Sequence, residues 1–282
     1  MEFVVSTPAD FSFTETVSAH GWRRLLPFEW NEDTQTLSRT EAFADGSIAF
    51  LKIRAAAHGG VSVSAEADYD SEEVTARVRR MLQLDLPLDE FHAYCRTRAE
   101  LAHLTEHRRG RLLRSPTLWE DTVKVIATTN TTWAQTISMT ARLVAEFGTE
   151  GRAYPTPAQI AAAPFDDFAA KARMGYRAAY VHAIAAAICD GALDLEAWQA
   201  ADLAADDLRK RLLGLPGIGP YGAACLMLYL GKPAHVNTDS VARAALSQEL
   251  GHPVTDKEVH AFFEAHGEWR GLVYNFYPWN KT

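Results

Sequence analysis

Leu215-Pro216-Gly217-Ile218-Gly219-Pro220-Tyr221-Gly222, followed by an apolar run and then by Val236-Asn237-Thr238-Asp239, decides how this chain is read. The residues before it, Asp206-Asp207-Leu208-Arg209-Lys210-Arg211-Leu212-Leu213, form the charged end of an amphipathic helix, with Gly214 placed to cap it. Pro216 breaks the helical path, and Gly217 and Gly219 are expected at positive φ in a tight turn. Gly222 to Leu230 is apolar almost all round, which predicts a buried second helix, and Gly231-Lys232-Pro233 stops it. Such a turn presents backbone N–H groups at the start of a helix, where the macrodipole favours an anion such as a DNA phosphate. Asp239 stands 20 residues past Gly219, a lone carboxylate able to act on whatever the turn holds.

Other readings of the same residues stay open at this point. Gly217-x-Gly219-x-x-Gly222 matches a dinucleotide-binding fingerprint in form, but a charged helix precedes it where that motif needs a buried strand. A plain ligand-free connection between two helices is compatible with the turn. Asp239 taken alone reads as the N-cap of a helix beginning near Ser240.

Working outward, residues 1–85 differ from the rest. Phe3-Val4-Val5, Leu37–Thr40, Ser47–Ile53 and Gly60–Ala65 alternate like half-buried strands between turn residues, and Val74–Leu82 reads as a helix. From Leu88 strand signals vanish. Helices are expected over Asp89–Ala102, Pro116–Thr129, Trp133–Phe147, Pro157–Ala163, Pro164–Arg173, Arg177–Asp190, Leu193–Ala201, Ala204–Leu213, Tyr221–Leu230, Ser240–Leu250 and Asp256–Ala265. The fold class is α+β, with a small antiparallel sheet subdomain over 1–85 and a mostly helical body over 86–282 that contains the hairpin at 208–230.

With these motifs in place the chain resembles the helix–hairpin–helix DNA glycosylases, in the branch of 8-oxoguanine glycosylases and AlkA-type 3-methyladenine glycosylases. Thr128-Thr129-Asn130-Thr131-Thr132-Trp133, Tyr154-Pro155-Thr156-Pro157 and Met174-Gly175-Tyr176-Arg177-Ala178-Ala179-Tyr180-Val181 extend the likeness from about Leu112 to the C-terminus. The resemblance implies base flipping and cleavage of an N-glycosidic bond in double-stranded DNA, with Asp239 catalytic and Leu215, Gly217, Gly219 and Tyr221 on the phosphate-binding hairpin. It implies a wedge role for Asn130 in the gap left by the extruded base, and a backbone-bound monovalent cation at the hairpin. An aromatic base pocket is expected to use Trp133 and Tyr221. Bifunctional members carry a lysine nucleophile where this chain has Tyr221, and a phenol cannot form a Schiff base. The expected activity is therefore monofunctional, leaving an abasic site in an intact strand. A bifunctional glycosylase/lyase and a non-catalytic binder of damaged DNA are the alternatives.

Composition sets bounds on this reading. Among 282 residues, 48% are apolar and 23% charged, as in an ordinary globular chain. The net charge of −8 opposes generic DNA binding, although His107-Arg108-Arg109-Gly110-Arg111 and Arg209-Lys210-Arg211 concentrate positive charge. Three dispersed cysteines cannot supply a four-cysteine iron–sulfur loop, so no cofactor is expected. His103-Leu104-Thr105-Glu106-His107 matches a zinc pattern but lacks a third ligand, and no side-chain metal site is expected. No apolar stretch suits a membrane span and Met1–Val5 lacks a basic leader, which points to the cytoplasm, in association with the nucleoid; the chain is expected to be a monomer.

Overall fold

The computed structural model describes residues 2–43, 46–66, 70–201 and 203–279. Five strands, β1 (Glu2–Val5), β2 (Glu29–Asn31), β3 (Thr36–Ala42), β4 (Ile48–Ala55) and β5 (Val61–Ala65), form one antiparallel sheet in the order β1-β5-β4-β3-β2. Alternation explains its burial: Ala49, Leu51 and Ile53 of β4 are wholly inside, while Lys52 and Arg54, on the other face, are exposed. β2 was not expected, because three residues are too few for a period of two to show.

The helices follow the expected spans closely, except that the helix from Asp89 ends at Arg96 and short helices at Phe13–Ser18, Ala102–Glu106 and Arg270–Asn275 were unforeseen. Among the described residues no helix is long and apolar enough to cross a membrane. The chain divides into two compact units, one of residues 1–86 with 111–201 and the other of residues 87–110 with 202–282. The change from strands to helices near residue 85 is thus not where compactness divides the chain, and among the described residues the sheet shares its unit with eight α-helices that include Ser71–Met81, Leu118–Thr128, Trp133–Phe147 and Arg177–Cys189.

Within the first unit, the tie between sheet and helices is ionic as well as apolar. Arg39 of β3 is 1% exposed and pairs with Glu120 of helix Leu118–Thr128 through Nη2–Oε2 at 3.0 Å and Nη1–Oε1 at 3.3 Å, as well as with Glu41. Lys124, one turn on, donates to Glu120 Oε1 at 2.6 Å. Burial opposes charge on Glu120, but Arg39 and Lys124 outweigh it and hold its carboxyl below the ordinary value. Neighbouring Asp121 accepts from Trp22 Nε1 and from the Ser115 amide, each at 2.9 Å.

His20 lies beside this cluster, with Nε2 2.5 Å from the Leu113 carbonyl oxygen. Desolvation, with the Lys124 charge adding, lowers its pKa from 6.5 to about 4 against the opposing hydrogen bond. The folded state holds this imidazole neutral, so unfolding takes up a proton between those two values. His20 therefore contributes stability that is complete above pH 6.5 and lost as pH falls towards 4. The expected loss at pH 4.5 is about 2 kcal/mol. Urea unfolding at pH 7.0 and 4.5 checks it: His20→Gln should shrink the difference between the two pH values, and an unchanged difference would remove His20 as its source.

Candidate active site

The hairpin of the second unit is built by its own turn chemistry. Helix Ala205–Leu213 ends at Gly214, which sits in the right-handed region at φ −78°. The Ile218 amide donates to the Leu215 carbonyl at 3.1 Å, and Gly217 between them has φ 79°. That is a type II turn with Pro216 at its second position and glycine at the third, where φ must be positive. Leu215 and Ile218 are buried and pin the turn from below.

Gly219 departs from expectation. Its φ is −94° with ψ −171°, because it is the N-cap of helix Pro220–Tyr229 and N-caps take extended backbone. A Cβ there would meet open space, so packing within the protein does not demand glycine. What glycine leaves is an unobstructed approach to the helix start. The amides of Gly217 and Gly219 meet no acceptor among the described residues, and together they make an anion seat reinforced by the helix dipole.

Asp239 is the N-cap of helix Ser240–Leu250: its Oδ1 accepts the Ala242 amide at 2.8 Å. Its Oδ2 accepts no hydrogen bond among the described residues, so the cap occupies only one of the two carboxylate oxygens. The Asp239 amide donates to Tyr274 Oη at 3.2 Å. Two residues earlier, Asn237 Nδ2 donates to the buried sulfur of Cys225 at 3.4 Å, and Tyr221 hydrogen-bonds the same sulfur. Burial, with the Asp239 charge adding, pushes the Cys225 thiol up to about 12 despite those bonds, so it is no nucleophile at neutral pH. The second unit therefore links the hairpin's Tyr221 to the Asp239 loop through Cys225. Sequence reading took Cys225 for a plain core residue and missed Asn237 and Tyr274. The spacing Tyr221/Cys225, one helical turn, was the available signal; Tyr274 carried none.

Asn130 and Trp133 belong to the first unit. Asn130 forms the exposed turn between helices Leu118–Thr128 and Trp133–Phe147, at φ 45°. The buried Arg177 holds that turn, donating from Nε to the Thr129 carbonyl at 3.1 Å, from Nη2 to the Asn130 carbonyl at 3.1 Å and from Nη1 to the Met174 carbonyl at 3.3 Å. Asn130 Nδ2 itself reaches Tyr176 Oη at 3.3 Å. Trp133 is half-buried, and a Cβ on Gly21 would stand 2.5 Å from its ring, so the indole lies directly against that glycine. A cavity of about 490 Å³ in this unit, over Arg39, Glu41 and Trp119, is lined by neither. Among the described residues no group of three or more His, Cys, Asp and Glu side chains is placed to hold a metal ion, and His103 and His107 form no such group.

Comparison with known proteins gives this geometry a context. Residues 123–270, just over half of the chain, match the family described as HhH-GPD superfamily base excision DNA repair protein. The 8-oxoguanine glycosylase/lyase of Clostridium acetobutylicum in its apo form superposes with a TM-score of 0.74 at 18% identity, over 99% of this chain and 95% of that one. The 3-methyladenine DNA glycosylase of Archaeoglobus fulgidus gives 0.71 at 17% identity, over 98% and 96%. These likenesses are of fold.

If the hairpin seats a phosphate, Gly217→Ala should disturb it, since an L-residue at φ 79° is strained by about 1–2 kcal/mol. Affinity for a duplex carrying an abasic-site analogue, measured by anisotropy, should fall about tenfold; affinity within twofold of wild type would argue against the hairpin as the seat.

Proposed function

The chain belongs to the HhH-GPD superfamily of base excision DNA repair proteins, a family of DNA N-glycosylases, and we propose that it is a monofunctional member whose catalytic group is Asp239. The observation that carries this reading is the pairing on one unit of a hairpin with unengaged amides and a carboxylate with one unengaged oxygen, with a phenol rather than an amine, Tyr221, at the head of the intervening helix.

The Gly217 and Gly219 amides bind a backbone phosphate of double-stranded DNA and set its register. Asn130, projecting from a turn that Arg177 makes rigid, fills the gap left by the flipped base. As the bond from C1′ to the base nitrogen breaks, positive charge develops on the sugar. The Asp239 carboxylate stabilises it, or takes a proton from the water that adds to C1′. The base departs with the bonding electron pair and the strand stays intact. The Gly217 carbonyl accepts no hydrogen bond among the described residues, so it is free to help hold a monovalent cation, which would add positive charge beneath the phosphate.

Duplexes carrying methylated purine, 8-oxoguanine, uracil or hypoxanthine test the assignment under single-turnover conditions, with and without alkali. Wild type should give alkali-dependent nicks on at least one of them. Asp239→Asn should lower that rate about 10²–10³-fold while affinity for abasic duplex stays within a few-fold; retained turnover would overturn the assignment. Borohydride should trap no adduct with wild type. Tyr221→Lys should create a trappable Schiff base with abasic DNA, whereas an adduct already present in wild type would mean that another amine does lyase chemistry.

A further inference from the structure

Helix Arg270–Asn275 touches the loop that delivers Asp239 at both of its ends. At the start, Arg270 Nε donates to the Ala234 carbonyl at 2.6 Å and the Gly271 amide donates to the Pro233 carbonyl at 2.8 Å. The contact is close enough that a Cβ on Gly271 would come within 2.5 Å of the Pro233 and His235 carbonyl oxygens. At the other end, Tyr274 Oη accepts the Asp239 amide at 3.2 Å. Residues 270, 271 and 274 are spaced four and three apart, so they share one helix face. Tyr274 is 3% exposed, packed between the rings of Phe263 at 5.4 Å and Trp279 at 5.0 Å. Its ring is thus fixed by packing, and its hydroxyl oxygen makes one hydrogen bond among the described residues, to the backbone of the candidate catalytic aspartate.

We propose that Tyr274 is the positioning residue for Asp239, holding the backbone from which the carboxylate projects. The inference rests on the assignment of Asp239 above. The cap at Ala242 fixes one carboxylate oxygen relative to helix Ser240–Leu250, but it does not fix that helix start relative to the hairpin and Cys225. The bond from the Asp239 amide to Tyr274 supplies the second point of attachment. Without it the aspartate keeps its cap and shifts with the loop, and a displacement of about 1 Å at a reacting group is enough to cost up to a hundredfold in rate.

Tyr274→Phe removes the oxygen and keeps the ring. In the 282-residue chain it should lower the single-turnover excision rate about tenfold or more, on the base that wild type releases, with affinity for abasic duplex within twofold. In an Asp239→Asn background the same change should have no further effect, because the group being positioned is gone. Amide hydrogen exchange at Asp239, followed by NMR without DNA, should accelerate at least tenfold in Tyr274→Phe while the Ala242 amide stays protected. A rate within twofold of wild type, or an equal loss in both backgrounds, overturns the proposal, the second pointing to general disruption. If wild type releases none of the tested bases, the glycosylase assignment fails by itself, and the exchange measurement still decides whether Tyr274 holds this loop.

Discussion

The pairing of Arg39 with Glu120, completed by Lys124 and Glu41, is the constraint on which the first unit depends. A charge enclosed this deeply is tolerable only with its partner in place, and losing one member of such a group costs about 3–5 kcal/mol. The sheet cannot part from helix Leu118–Thr128 without taking from Arg39 its bidentate partner Glu120 and leaving it only Glu41 of its own strand. The cluster is one of the ties between residues 1–86 and 111–201, which form a single unit. The same helix ends in the Thr129–Asn130 turn, which Arg177 grips from the next layer. The wedge role proposed for Asn130 would call for a rigid mount, and the ion cluster, the helix and Arg177 together provide one.

The second unit works by other means. Its helix Pro220–Tyr229 is buried from Gly222 to Tyr229, so the apolar effect alone fixes the hairpin's rear. The front is backbone. Gly217 is required by the dihedral angle of a type II turn, whereas Gly219 is free of any such requirement and free of contact. Two glycines two residues apart therefore answer to different constraints, one to the protein's own conformation and one to something outside it. The phosphate proposed at the helix start would satisfy the second.

How far the sequence could be read follows from the range of each interaction. The hairpin, its two helices and the aspartate are local: their glycine, proline and apolar pattern lies within a 35-residue stretch, 205–239, and each feature acts on near neighbours. Strands β3, β4 and β5 announced themselves by alternation, whereas β2, with only Glu29-Trp30-Asn31, could not. The expected positive φ at Gly219 failed because a glycine before proline at a helix start serves equally well as an extended N-cap. Arg39 with Glu120 spans 81 positions, and Tyr274 lies 35 beyond Asp239. No periodicity connects such residues. A lone arginine in a strand or a tyrosine in an aromatic C-terminal run carries no mark of its partner, and only the folded chain brings the two together.

The local reading of Asp239 as a helix cap and the functional one turn out not to compete. A cap needs one oxygen, and Asn, Ser or Asp provides it about equally well. Hydrogen bonding at the start of helix Ser240–Leu250 therefore does not separate a carboxylate from an amide at this position; the helix dipole favours the carboxylate by about 0.3–1 kcal/mol. Oδ1 performs the cap and Oδ2 is left without a partner among the described residues, at the end of a loop held at both ends by one helix. The cap and the dipole leave Oδ2 available to a group outside the protein. Under the proposed function that group is the deoxyribose on which charge develops as its base departs, and the cap, far from excluding Asp239 from such chemistry, would aim it.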